Sequence, residues 1–195
     1  MAIRHFNKMH WLLSISIRLS FQNLHRLPFG LKIQVKHRDN EKGDRAKVSQ
    51  DELMQEAIKQ GNISLNEGGI PIGAILVSQG KILGRGHNRR VQKGSAILHA
   101  EMDALEAAGR LSASDYRQST LYTTLSPCAM CSGAILLYRI PHVVIGENHT
   151  FRGEEKLLRE RGVLIEVLDN PTCKEMMRRF VIQHPALWEE DIGFD

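Results

Sequence analysis

The chain has 195 residues, 42 % hydrophobic and 25 % charged, the balance of one soluble globular domain with a single core; a fibrous or wholly disordered chain is excluded. The formal net charge of +4 is unevenly spread: residues 1–45 hold nine basic against three acidic side chains, +6, leaving 17 against 19, or −2, for 46–195. A near-neutral body lacks the basic footprint that a polyphosphate partner needs, so no nucleic-acid partner is expected.

Residues 1–38 contain no acid and mix Arg, Lys, His and Ser with apolar residues such as Trp11, Leu12, Ile15 and Leu19. That is the composition of an organellar transit peptide; a disordered leader or a downstream start is the competing reading. The apolar run is broken by Ser14, Ser16 and Arg18 and is too short to span a bilayer, so no membrane partner is expected. The folded domain is expected over 46–195.

From Ser49 the texture changes. Ser49-Gln50-Asp51-Glu52 reads as a capping box, and Leu53, Met54, Ala57 and Ile58 follow at helical spacing up to Gly61, expected to end the helix. After Gly68-Gly69 the run 72–78 is an apolar strand, turned back by Gln79-Gly80 into 81–86, a hairpin. A polar loop leads to a short helix over 99–108, stopped by Gly109. Residues 120–125 form a strand of β-branched and aromatic character. Pro127 opens a helix over 128–138 that is apolar nearly all round and therefore buried against the core, or against a second subunit. Strands at 142–146 and 163–168 and helices at 154–161 and 171–183 complete the order αββαβαβαβα. The expected fold class is α/β, a three-layer α/β/α sandwich around a central five-stranded mixed sheet.

Two short motifs carry chemistry. His99-Ala100-Glu101 and Pro127-Cys128-Ala129-Met130-Cys131 each stand at a helix start. Cysteines at i and i+3 share one helix face, and a helix N-terminus favours the thiolate that zinc binds. His99 supplies a third donor and leaves the fourth tetrahedral position open to water, the pattern of a catalytic zinc site. Glu101 is the carboxylate to move the proton. His-x-Glu with Pro-Cys-x-x-Cys is the signature of the zinc deaminases. The bland readings are a redox Cys-x-x-Cys pair and a structural zinc with Cys173, His87 or His142 as fourth ligand; Cys173 otherwise reads as a small buried hydrophobe.

Over about 50–195 the sequence resembles the fungal-type cytosine deaminases of the cytidine deaminase-like superfamily. The resemblance rests on 67–73 (EGGIPIG), 84–88 (GRGHN), 92–96 (QKGSA), 121–128 (LYTTLSPC) and 190–193 (EDIG) as well as the metal motifs. It implies hydrolysis of cytosine to uracil and ammonia in pyrimidine salvage, 5-fluorocytosine as a second substrate, one zinc ion per subunit, and a homodimer. It implies that Asn88 reads the polar edge of the pyrimidine, that the Ser126 backbone touches the base, and that Phe151 and Trp188 sandwich the ring. Ile72 and Ile192 line the pocket, and Asp191, on a C-terminal lid over 185–195, accepts from the exocyclic amine. Asn88 could otherwise be a turn residue, and Phe151 or Trp188 plain core. The sequence departs from the family in the leader and around Arg152-Gly153-Glu154, where it is shorter. A tRNA adenosine deaminase or a guanine deaminase on the same fold is the alternative, the former needing a basic surface for which Arg89, Arg90 and Lys93 are candidates. A non-catalytic zinc module would have no use for Glu101. Reduced cysteines place the protein in the cytoplasm, with the nucleus as a second location, or in mitochondria if the leader is a working transit peptide.

Overall fold

The computed structural model describes residues 48–193; the leader over 1–45 lies outside the described residues. The first helix, α1 (Gln50–Asn66), starts on the expected capping box: the Ser49 hydroxyl accepts from Glu52 N–H while the Glu52 carboxylate accepts from Ser49 N–H at 2.8 Å. Strands β1 (Gly73–Ser78) and β2 (Lys81–His87) form the hairpin. There follow α2 (Arg90–Lys93), α3 (Ala100–Ala108), α4 (Ala113–Arg117), β3 (Ser119–Leu125), α5 (Ala129–Tyr138), β4 (His142–Glu147), α6 (Glu155–Glu160), β5 (Leu164–Val167), α7 (Pro171–Gln183) and α8 (Pro185–Asp191).

The sheet has the order β2-β1-β3-β4-β5, with β1 antiparallel to both neighbours and β3, β4 and β5 parallel. Period-two alternation divides the strands between two cores. Ile75, Val77, Tyr122 and Val144 face α1 and α7, joining Leu53, Met54, Ala57, Ile58 and Cys173. Leu76, Leu121, Val143 and Ile145 face the opposite layer, joining Leu105 of α3, Tyr116 of α4, Ile135 of α5 and Leu158 of α6. The expected three-layer sandwich is therefore present, and each fully buried aliphatic side chain contributes about 1.5–3 kcal/mol to it.

Three expectations are corrected or sharpened. Gly61 does not end α1, which runs five residues further. Its role is close approach: a Cβ on Gly61 would lie 3.0 Å from the Pro71 carbonyl oxygen, and one on Gly73 would lie 2.1 Å from the Ala57 carbonyl oxygen. Helix and strand meet backbone to backbone there, which fixes the start of β1 beside Thr123 and Thr124. Second, within this chain only one face of α5 meets the core: Cys131, Ser132 and Ile135 are inside, whereas Leu137 is 73 % exposed and Tyr138 39 %. Third, the C-terminal segment contains a further helix, α8, begun by Pro185 at its first position.

Candidate active site

The two metal motifs meet because the starts of two helices lie together. His99 is the N-cap of α3 and Cys128 the N-cap of α5, so both sit where helix dipoles converge. Among the described residues, His99, Cys128 and Cys131 form a group whose donor atoms all lie within 4.8 Å of one another. Cys128 Sγ is 3.5 Å from His99 Nδ1. The other histidine nitrogen, Nε2, faces the Asp191 carboxylate at 3.8 Å, an electrostatic neighbour beyond hydrogen-bond distance. None of the three suggested fourth ligands joins the group: Cys173 is buried in the opposite core, His87 pairs with Glu67 and His142 lies by Glu166.

The donor set is starved of positive charge. A hydrogen bond from Cys131, with a further one to His99, pulls the Cys128 thiol down to about 4, while the same Cys131–Cys128 bond and burial push Cys131 well above an ordinary thiol. Burial above all raises Glu101. For His99 burial works downward, yet Cys128, Glu101 and Asp191 together raise it. One thiolate, one thiol sharing its proton, an imidazole and a buried carboxyl make a cluster that a divalent cation would satisfy in place of protons. Two sulfurs and an imidazole fit zinc.

Glu101 is 4 % exposed, with Oε1 accepting from the Thr123 hydroxyl at 3.0 Å and Oε2 from the Cys131 thiol at 3.4 Å. A cavity of about 590 Å³ opens beside them, and His99, Glu101, Cys128, Ile72, Ser126, Phe151, Trp188, Asp191 and Ile192 all border it. Asn88, fully buried, reaches the same group through Asp191, donating from Nδ2 to both carboxylate oxygens at 3.3 and 3.2 Å. Phe151 and Trp188 do not face each other across a slot. Their rings meet at 85° with centroids 6.2 Å apart, an edge-to-face corner and not two parallel walls. The Ser126 N–H donates to the Glu147 carbonyl, which leaves the Ser126 carbonyl as its backbone group for a ligand.

Sequence reasoning missed three residues that build this wall. Thr123 is one, through Glu101. The second is Glu155, 3 % exposed, which accepts from the Ser126 hydroxyl at 3.0 Å, from Asn148 at 2.8 Å and from Arg159 at 3.1 Å, tying the end of β3 to the loop that carries Phe151. That loop closes tightly: the Gly153 N–H donates to Ser126 Oγ, and a Cβ at Gly153 would lie 1.9 Å from the Pro127 carbonyl oxygen. Arg90 is the third, with its guanidinium on Asp191 and Glu190.

Comparison with known proteins shows the family. Residues 47–147 match the family described as the cytidine and deoxycytidylate deaminase zinc-binding region. The chain is 53 % identical over 141 residues to a cytosine deaminase of Candida albicans, covering 72 % of this chain and 94 % of that protein. It is 47 % identical over 108 residues to a tRNA-specific adenosine deaminase of Streptococcus pyogenes serotype M18, covering 54 % of this chain and 67 % of that one. The structure of guanine deaminase from Nitrosomonas europaea shares the fold, with a TM-score of 0.57 at 20 % identity over 68 % of this chain and 85 % of that chain. A structure from work on deaminases acting at the wobble position of transfer RNA also shares it, with a TM-score of 0.55 at 24 % identity over 65 % and 99 %. The fold and the His/Cys/Cys centre define a zinc-dependent hydrolytic deaminase. The chain belongs to the cytidine and deoxycytidylate deaminase family, and its cofactor is zinc.

Proposed function

We propose that this chain hydrolyses free cytosine to uracil and ammonia, as a step of pyrimidine salvage, with 5-fluorocytosine as a second substrate. The observation that carries the reading is α8: it brings Trp188, Asp191 and Ile192 to the cavity that His99 and Glu101 border, and the 53 % identity to the Candida albicans enzyme extends over 94 % of that protein.

When bound by His99, Cys128 and Cys131, zinc supplies the Lewis acidity that makes water a nucleophile near neutral pH. Glu101 takes a proton from the attacking water, passes it to the ring nitrogen, and assists departure of ammonia; its burial, which favours the protonated form, suits a group that must both accept and release a proton. Thr123 holds one of its oxygens. Asp191 accepts from the exocyclic amine, which selects an amino-pyrimidine over its oxo product, and Asn88, donating from Nδ2 to that carboxylate, backs it from behind. Trp188, Phe151, Ile72 and Ile192 exclude water.

A tRNA substrate is disfavoured by where the candidate basic residues go. Arg89 pairs with Asp103 at 3.3 Å and Arg90 with Glu190 and Asp191 at 2.7 Å each, so two of the three cations are neutralised within the chain. The bare face of α5, with Ala129, Gly133 and Leu137 exposed, supports a homodimer, and free cysteines fit a cytoplasmic location.

The test is ammonia release from cytosine, 5-fluorocytosine, cytidine, adenine, guanine and tRNA, each supplied alone. Release from the two free pyrimidines and from none of the others is expected. Release from tRNA in preference to cytosine would overturn the reading.

A further inference from the structure

Asn88 and Asp191, 103 positions apart in the sequence, are tied together by a residue between them in space. The Arg90 backbone N–H donates to Asn88 Oδ1 at 3.1 Å, Arg90 Nη1 donates to Asp191 Oδ1 at 2.7 Å, and Asn88 Nδ2 donates to the same carboxylate. This is a closed ring of three residues. Arg90 Nη2 adds a bond to Glu190 Oε1 at 2.7 Å. Asp191 is only 2 % exposed at its side chain and Arg90 17 %, so water screens the inner pair little, while Glu190 at 59 % is the outer, screened arm.

Each bond has a consequence for the cavity. An amide can face either way, but the Arg90 N–H fixes the oxygen end of Asn88 and so turns the NH₂ end toward Asp191. A guanidinium fork holds two carboxylates at a set spacing, which the single ammonium of lysine does not. The two carboxylates belong to consecutive residues near the end of α8, so the fork also pins the helix that carries Trp188 and Ile192 to the cavity. His99 Nε2, at 3.8 Å, is the other cationic candidate facing Asp191, and α8 is otherwise held by the apolar contacts of Trp188, Leu187 and Ile192.

We propose that Arg90 is a positioning residue for substrate binding: it clasps α8 against the cavity and pre-aligns Asn88 and Asp191 for a free base. This rests on the cytosine reading above. Pre-alignment lowers the ordering cost of binding, so loss of the clasp weakens capture of the base more than its chemistry.

The zinc-loaded full chain carrying Arg90→Gln or Arg90→Lys is compared with the unsubstituted protein in two measurements. In steady-state deamination of cytosine, Arg90→Gln raises KM by about 10-fold or more while kcat changes by less than about 3-fold, with Arg90→Lys between the two. In hydrogen exchange, amides over 186–192 open about 10-fold faster in Arg90→Gln, and those of α1 and α3 are unchanged. Unchanged exchange over 186–192, or a loss confined to kcat, would overturn the clasp. An unsubstituted protein that leaves cytosine intact defeats the substrate reading instead, and the exchange measurement still judges Arg90.

Discussion

Thr123 Oγ1 lies 3.0 Å from Glu101 Oε1 and 3.1 Å from the Leu125 carbonyl oxygen, so one buried hydroxyl proton serves both the candidate proton carrier and the strand end leading to Cys128. Thr123→Val keeps the shape and removes the donor. We expect kcat to fall about 10-fold, equivalent to about 1.4 kcal/mol, with little change in KM, and Thr123→Ser to recover most of the loss. Equal kinetics for Val and Ser would show that the hydroxyl does not orient Glu101.

Glu101→Gln preserves size and hydrogen-bonding reach but cannot carry a proton. Zinc content and melting temperature should match those of the unsubstituted protein, while kcat falls by about 10³-fold, within the usual range for loss of a general acid–base. Retention of a tenth of the activity would remove Glu101 from the mechanism.

Cys128 and Cys173 should separate chemically once zinc is stripped by a chelator. Cys128 is held down to about 4 by its bonds to Cys131 and His99, whereas burial, assisted by Glu147, lifts Cys173 to about 12. Iodoacetamide at pH 7.5 should therefore label Cys128 and spare Cys173, and zinc should protect Cys128; peptide mapping by mass spectrometry reads both. Modification of Cys173 ahead of Cys128 would contradict the site.

Glu155 predicts an acid limb. Burial opposes its charge, but hydrogen bonds from Asn148, Ser126 and Arg159 prevail and hold it below the ordinary carboxylate range. A carboxyl with a depressed folded-state pKa contributes stability fully above its unfolded value of about 4.3, and that contribution is lost as pH falls through the folded value. Glu155→Gln should lower stability at pH 7 and flatten the decline below about pH 4.3, measured by urea unfolding across pH. A parallel decline in both proteins would show that Glu155 does not anchor the loop.

The metal centre was legible because its chemistry is written in short spacings: His99 and Glu101 two apart, Cys128 and Cys131 three apart, each pair beside a helix start. The layered fold followed from strands whose apolar residues alternate and helices whose caps are local. What escaped acts over distance. Thr123 reaches Glu101 across 22 positions, Glu155 reaches Ser126 across 29, and Arg90 reaches Asp191 across 101, and no local pattern marks such partners. Gly61 was misread for a related reason: a glycine that stops a helix and one that lets a strand press against it look alike until the strand is in place. Composition marks α5 as apolar nearly all round, and the structure adds which side meets the core: Ile135 is inside and Leu137 exposed.

The measurement closest to the central claim couples metal to product. Zinc is removed from the purified chain, returned in known amounts, and uracil and ammonia are quantified from cytosine. Activity should rise linearly to one zinc per chain, with the two products in equal amounts. Full turnover of cytosine in folded protein free of any transition metal, or a stoichiometrically loaded protein that leaves cytosine untouched, would contradict the account.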